Sequence, residues 1–449
     1  MNQPAQRRRR RKKRLPEDPV EVTIESLSDE GRGIAHVDDR AVFIDQALEG
    51  ERVAFKYTRL TSKIAEGRAC EVLEASADRV EPKCSVFHLC GGCSLQHMQS
   101  DAQIRMKQGT LLKHLEHIGQ VTPQHVIAPL TGPVWGYRGK ARLGVRYVAK
   151  KEKALVGFRE RGSSFITDTE RCEILHPAVG GIIQALSECV SGLEANRQIP
   201  QIEVAVGDDQ TVLVFRHLVE LSSHDREQLT VFAKQHGLSI VLQAGSPDEL
   251  EPLWPETIAP LFYVLDEFDI RIEFQPNDFT QVNSEINQNM VRRALDFLQL
   301  ENDDDVLDLF SGLGNFTLPI SRYCGHVTGV EGSLAMVNKA RANAELNNIT
   351  NAEFHYADLY SAEVKDTQWV KRQYNKILLD PPRSGAAGIL DYIKKMKTER
   401  IVYVSCHPAT LARDAGVLVN ELGYKLTHAG VMDMFPHTAH VESIAVFER

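Results

Sequence analysis

The sequence predicts a multidomain α/β protein, in which a doubly wound parallel sheet follows a small all-β module and a mixed α+β middle. Three observations carry this. From about residue 270, apolar runs within VLDLFSGLG, HVTGVEGS, YNKILLDPPR and RIVYVSCHP alternate with helical segments such as SLAMVNKARANAELNN, and strands alternating with helices build a parallel sheet. Between residues 20 and 75, short runs alternate apolar and polar side chains and are broken by Asp-Glu-Gly, Asp-Asp and Leu-Glu-Gly, which is the pattern of about five short strands. A length of 449 residues exceeds what one core accommodates.

Composition narrows the class. With 25% charged residues and no apolar run long enough for a bilayer, the chain is not expected to span a membrane. The N-terminus, MNQPAQRRRRRKKR, has neither the apolar core of a secretory signal nor the Ser-rich amphipathic character of a transit peptide, so the cytoplasm is the expected compartment. Net charge is −9 although Arg7 to Arg14 are eight consecutive basic residues. Residues 1–14 are expected to be a disordered tail that attracts phosphate by counterion release, or else a solvated tail without a partner.

Residues 15–75 predict a small closed barrel of the oligonucleotide-binding kind. Within it, GRGIAHVDDRAVFIDQALEGERV resembles a TRAM domain, which implies RNA binding, although a barrel without RNA would show the same strand pattern. A middle domain follows over 76–268. Its first helix is expected over 94–118, with Leu111, Leu112, Leu115 and Ile118 on one side. Further on, Arg138, Lys140, Arg142 and Arg146 fall at even spacing in a strand-like run, which puts them on one face. That face is either a support for RNA backbone or a solvated edge.

The middle domain opens with a cysteine cluster. Cys84, Cys90 and Cys93 lie within ten positions of one another in a chain with eight cysteines. Their C-x5-C-x2-C spacing matches neither the paired C-x2-C knuckles of common zinc sites nor the C-x3-C-x2-C of radical-SAM enzymes. A metal site is the expectation, and Cys172, in the polar, turn-like TERCEILHP, is the candidate fourth ligand. Spacing leaves zinc and iron–sulfur open, since both accept four thiolates, and it leaves a set of free or redox-active thiols as the alternative. Disulfides are disfavoured in a reducing compartment.

Residues 269–449 carry the nucleotide signature. DLFSGLGNFT follows a strand and opens a helix, with Gly312 and Gly314 supplying the turn and Thr317 standing where a dinucleotide fingerprint has its third glycine. The pattern resembles motif I of S-adenosylmethionine-dependent methyltransferases, whose cofactor has no pyrophosphate. Glu331 closes the next strand, where it could accept the ribose hydroxyls, and Asp358 ends a third, where it could meet the adenine edge. Asp380 follows a fourth strand in LLDPPRSG, which resembles the Asp-Pro-Pro signature of base-nitrogen methyltransferases, except that Arg383 replaces the usual aromatic. Cys406 ends a fifth strand, at the same rim as Asp380; taken alone it reads equally as a small buried hydrophobe, as do Cys70, Cys189 and Cys324.

VSCHPATLARD and DMFPHTAHVESIAVF, together with FQPNDFTQVNSEIN, DLFSGLGNFTLP and LLDPPRSG, closely resemble the motifs of the RNA uracil-C5 methyltransferases. The resemblance implies a Rossmann-like catalytic domain, Cys406 as nucleophile and Glu442 as general base. It further implies Gln281, Phe310, Asn315, Glu331, Asp358 and Asp380 as residues of the S-adenosylmethionine or substrate pocket. The cysteine spacing resembles that of the TRAM-bearing subgroup, which implies a [4Fe–4S] cluster on Cys84, Cys90, Cys93 and Cys172 and a uridine of 23S ribosomal RNA as substrate. That uridine is expected in a folded single-stranded loop from which it can be flipped. No obligate protein partner is implied. The same chemistry on another rRNA or tRNA uridine, or a non-catalytic RNA-binding assembly factor, are the alternatives; methylthiotransferases are disfavoured because the chain lacks their cysteine motif.

Overall fold

Secondary structure follows the alternation of apolar residues throughout the computed structural model, which describes residues 15–449 except 62, 247, 248 and 397. The basic run Arg7 to Arg14 lies outside the described residues. The chain falls into two compact units, one ending at Pro82 and taking in Ser94–Ala102, the other comprising Lys83–Cys93 and Gln103–Arg449.

The first unit is a six-stranded sheet, one strand more than the pattern predicts, because the two-residue strand Ser26–Leu27 is too short to show alternation. Strands Gly33–Val37 and Arg40–Asp45 pair antiparallel. Asp38 and Asp39, both at positive φ (50° and 60°), close that hairpin, as the tight primed turns require. The inward residues Ile24, Ala35, Val42, Ile44, Val53 and Phe55 make its core.

The second unit holds two large sheets and a two-stranded one. In the sheet of the middle domain, Lys140–Val148 pairs with both Gln201–Val206 and Lys153–Gly157. It is therefore an interior strand, which corrects the edge reading. Arg142 and Arg146 are exposed on its solvent face, as the even spacing predicts, but Arg142 pairs with Glu203 at 3.0 Å and Lys140 is half-buried, donating to the Pro276 carbonyl. The helix expected over 94–118 runs only from Ser100 to His114 and gives way to a wider π turn over Leu115–Gly119. Leu111 and Leu115 are buried, whereas the change of winding turns Ile118 outward to 48% exposure.

The catalytic sheet contains β1 (Asp305–Leu309), β2 (His326–Glu331), β3 (Ala352–Tyr356), β4 (Lys376–Leu379), β5 (Arg400–Ser405), β6 (Lys425–Met432) and β7 (Glu442–Glu448). Their order is β3-β2-β1-β4-β5-β7-β6, with the short strand His125–Val126 added beside β6. β1 to β5 are parallel and β7 runs antiparallel between β5 and β6. Separate apolar cores cover its two faces, which is why β1, β4 and β5 read as continuous apolar runs rather than alternating ones. A hairpin of Leu261–Leu265 and Ile270–Phe274 packs into one of these cores beside helix Ser284–Leu298.

Candidate active site

Chain reversal after β1 builds the first part of the site. Phe310, Gly312 and Gly314 adopt φ of 69°, 54° and 92°. A Cβ at Gly314 would stand 2.9 Å from Leu318 Cγ, while the space beside Gly312 is open. Phe310 is held in this strained region, unusual for a side chain of its size, by its own N–H donating to Val330 O at 2.8 Å and by that of Ser311 at 3.1 Å. Thr317 Oγ1 donates to Asp308 Oδ2 at 2.5 Å, so the missing glycine is replaced by a tie between helix and strand. Burial pushes the Asp308 carboxyl up to about 7, against the pull of that bond.

At the end of β2, Glu331 accepts from Gly312 N (3.1 Å) and Ser333 N (2.9 Å). Beyond β3, Asp358 accepts from Tyr360 N at 3.0 Å, and the Tyr360 ring lies 6.1 Å from that of Phe310. These residues stand at the carboxyl ends of three adjacent parallel strands, where open α/β sheets bind ligands. Two acids, an aromatic pair and an open glycine turn fit a nucleoside such as that of S-adenosylmethionine. Asn315 is placed differently from a free pocket residue. Its oxygen accepts from Tyr263 (2.9 Å) and Asn287 (3.0 Å), and its NH2 donates back to Asn287 (2.9 Å), which fastens the turn to helix Ser284–Leu298. Gln281 lies two residues before Asn283, which caps that same helix.

Strand pairing brings the two residues expected to react, Cys406 and Glu442, to the same region of the sheet. The register ends on Ser405 of β5 opposite Ser443 of β7, next to Cys406 and Glu442. Burial pushes the Cys406 thiol up to about 11; the negative charges of Glu442 and Asp380 add to the shift, and Arg383 opposes it. Glu442 is buried and held well above the carboxylate range, by desolvation first and by Asp380 second. Asp380 itself is pushed up to about 7 by desolvation. Two carboxyls and a thiol all raised by burial at one rim form the kind of cluster of perturbed groups found at functional sites. Arg383, which the sequence pattern presents only as a departure from a signature, is the cation facing Cys406, and its Nη2 stands 3.2 Å from His440 Nδ1. Its place in a turn directly after a strand end was the available signal.

Cys84, Cys90 and Cys172 are close enough for their charges to act on one another, and Cys93 packs with Phe87, Tyr137 and Ile174, against which Cys84 and Cys172 lie. Burial, and then the neighbouring sulfurs, push the Cys172 thiol up to about 11. A Cβ at Gly91 would stand 3.0 Å from Arg159 O, so the loop between the sulfurs is closely applied to its neighbour. Shared apolar packing and mutual electrostatic influence thus gather the four cysteines in one region of this unit. Among the described residues, no three His, Cys, Asp or Glu side chains form a metal-holding group, and no disulfide is present. Cys189 and Cys324 are raised to about 12 by burial, and Cys70 is exposed; all three stand outside these clusters.

Residues 211–449 match the model of the tRNA (uracil-5-)-methyltransferase family, and residues 18–70 match the TRAM domain. The chain belongs to the RNA uracil-C5 methyltransferase family. Within this family it is 52% identical, over 98% of its length and 99% of the relative's, to the Methylococcus capsulatus 23S rRNA (uracil(1939)-C(5))-methyltransferase RlmD. It is 51% identical to the enzyme of the same name from Nitrosococcus oceani, over 98% of each chain. The fold is shared with the Pyrococcus abyssi tRNA (uracil-54, C5)-methyltransferase solved with S-adenosyl-L-homocysteine, at a TM-score of 0.73 and 23% identity, covering 95% of this chain and 100% of that one. No helix among the described residues is long and apolar enough to cross a membrane.

Proposed function

We propose that this chain methylates C5 of a uridine in 23S ribosomal RNA, uridine 1939 by the names of its relatives, through a covalent bond between Cys406 and C6 of the base. The observation that supports the reading is the β5–β7 pairing, which ends on Ser405 and Ser443 and so leads Cys406 and Glu442 toward one rim of the sheet, where the charge of Glu442 acts on the Cys406 thiol.

Uracil C5 is too weak a nucleophile to take a methyl group unaided. Addition of the Cys406 thiolate to C6 moves the C5=C6 electron pair onto the C4 oxygen as an enolate, so that C5 becomes nucleophilic. S-adenosylmethionine, when bound, supplies a methyl group on a positively charged sulfur, which C5 attacks while the C–S pair leaves with that sulfur. The Glu442 carboxylate then takes the C5 proton. The C–H pair re-forms C5=C6, and Cys406 departs with its bonding pair as a thiolate. Arg383 favours the thiolate by charge. Asp380 holds either the uracil edge or the cofactor, while Phe310, Glu331 and Asp358 line the nucleoside pocket and Gln281 borders it.

Cys84, Cys90, Cys93 and Cys172 would hold a [4Fe–4S] cluster, whose irons neutralise sulfurs that are otherwise costly to bury together. No step of methyl transfer runs through it. We assign the barrel of 15–75 to RNA binding, 76–268 to the cluster-bearing domain and 269–449 to catalysis, in a cytoplasmic protein that recognises a folded single-stranded loop. A tRNA uridine is the second reading, favoured by the description of the family that residues 211–449 match.

The test is an adduct assay. Anaerobically purified protein with S-adenosylmethionine and a 5-fluorouridine 23S rRNA fragment should give a denaturation-resistant complex, because fluorine cannot leave as a proton. Cys406→Ala should abolish it. An adduct with tRNA alone would transfer the reading to the second substrate.

A further inference from the structure

The turn between β6 and β7, residues 433–441, ends on Glu442, and it is held by groups that take no part in the reaction. From helix Ser100–His114, Lys107 Nζ donates to Asp433 Oδ1 (2.6 Å) and Phe435 O (2.9 Å), and Gln103 Oε1 accepts from His437 N (2.8 Å). From the segment preceding Lys140–Val148, the Tyr137 hydroxyl donates to Pro436 O at 3.0 Å. The Trp135 ring stacks on His437, with centroids 3.9 Å apart and planes at 26°. His437 sits at φ 63°, a conformation that a non-glycine residue keeps only where its surroundings over-determine it.

The same segment is bonded on its other side to the cysteine region. Gly136 N donates to Glu173 O (2.9 Å) and Arg138 N to Ile174 O (2.9 Å), directly after Cys172. Tyr137 shares an apolar cluster with Phe87, Cys93 and Ile174, and Trp135, Cys84 and Cys172 pack against it. One residue further, Gly139 N donates to Val282 O at 2.9 Å, next to Gln281. Five consecutive residues therefore join the cysteine region to the turn that presents Glu442. Cys406 leaves β5 differently: Ser405 Oγ accepts from His407 N (3.1 Å), and His407 caps the following helix through Thr410 N (3.4 Å).

We propose that Trp135 and Tyr137 are positioning residues for Glu442, transmitting the packing of the cysteine region to residues 433–441, so that disturbing either slows C5 deprotonation while sparing attack at C6. The kinetic half of this rests on the reaction proposed above. The mechanical half does not, and the experiment separates them.

Hydrogen–deuterium exchange of 433–441 should be compared in the full-length wild type, Tyr137→Phe, Trp135→Leu and Cys172→Ser. Tyr424→Phe serves as control, since it removes an equivalent buried hydroxyl-to-carbonyl bond, 2.8 Å to Thr398 O. Exchange in 433–441 should rise about fivefold in Tyr137→Phe, the factor one neutral hydrogen bond represents, and should rise in Trp135→Leu and Cys172→Ser. It should stay unchanged in Tyr424→Phe and within β5. With unmodified 23S rRNA fragment and S-adenosylmethionine, Tyr137→Phe should accumulate a methylated covalent adduct. Its rate of adduct formation on 5-fluorouridine RNA should stay within about twofold of wild type, since the proton-removing step is absent there.

Unchanged exchange in Tyr137→Phe and Trp135→Leu would overturn the positioning role, and unchanged exchange in Cys172→Ser would overturn the link to the cysteine region. Equal slowing of adduct formation and release would overturn the selectivity. Wild-type protein forming no adduct would instead count against the proposed reaction, with the exchange result still deciding the mechanical half.

Discussion

Replacing Lys107 by Met should be among the most destabilising single changes in the second unit. The Lys107 side chain is 0% exposed and that of Asp433 4% exposed, with Nζ and Oδ1 2.6 Å apart, and Nζ also satisfies the Phe435 carbonyl. Methionine nearly preserves the volume but leaves a buried carboxylate without its cation, while the Phe435 carbonyl keeps Thr438 Oγ1 as a donor at 2.9 Å. Removing one partner of a buried pair costs about 3–5 kcal/mol, and we expect that loss in urea unfolding followed by circular dichroism. Asp433→Leu should cost a similar amount. The double variant should recover at least about 2 kcal/mol of the summed loss, because neither charge is then stranded. Additive losses, or a single-variant loss under about 1 kcal/mol, would refute the view that the pair holds residues 433–441 from within a desolvated site.

Acid–base behaviour gives two further expectations. Single-turnover kcat/KM should rise close to tenfold per pH unit between pH 7 and 9, since the Cys406 thiol sits at about 11 and the thiolate is the nucleophile; a flat profile would exclude thiolate attack as rate-limiting. Asp308, raised from 3.8 to about 7, holds its proton in the folded chain where the unfolded chain has lost it, so its contribution is full below about pH 4 and disappears as pH rises through about 7. The difference amounts to about 4 kcal/mol, and Asp308→Asn should flatten the dependence of urea midpoint on pH over that window. Glu442→Gln should still form the adduct with unmodified RNA but fail to release it, as read by denaturing gel electrophoresis. Cys172→Ser should lower the iron and acid-labile sulfide content of anaerobically purified protein; full retention of both would remove Cys172 from the ligand set.

Much of the catalytic domain was legible because its signals are local. Gly312 and Gly314 do adopt the positive φ that the turn demands, and Glu331 and Asp358 lie at the rim their strand-end positions imply. The strands of the first unit were readable from alternation and from Asp38-Asp39, although not the two-residue strand Ser26–Leu27. Ile118 shows the limit of periodicity. The apolar pattern continues through it, but the backbone changes from α to π winding at Leu115 and rotates the face outward. Arg142 shows another limit: its face was readable, its partner Glu203, 61 residues away, was not.

The sequence by itself determined the class of each segment, the cofactor turn and its acids, and the residue types available for chemistry. These depend on backbone preferences and on burial periods of two and 3.6 residues, which neighbours along the chain specify. Only the tertiary structure decided that β7 inserts beside β5, in a register that ends on Ser405 and Ser443, next to Cys406 and Glu442. It also decided that Cys172 approaches the earlier cysteines and that residues 135–139 lie between that region and the turn before β7. Such pairings join segments 36 to 300 residues apart, and their free energy comes from the packing of the whole core, to which no local stretch of sequence has access.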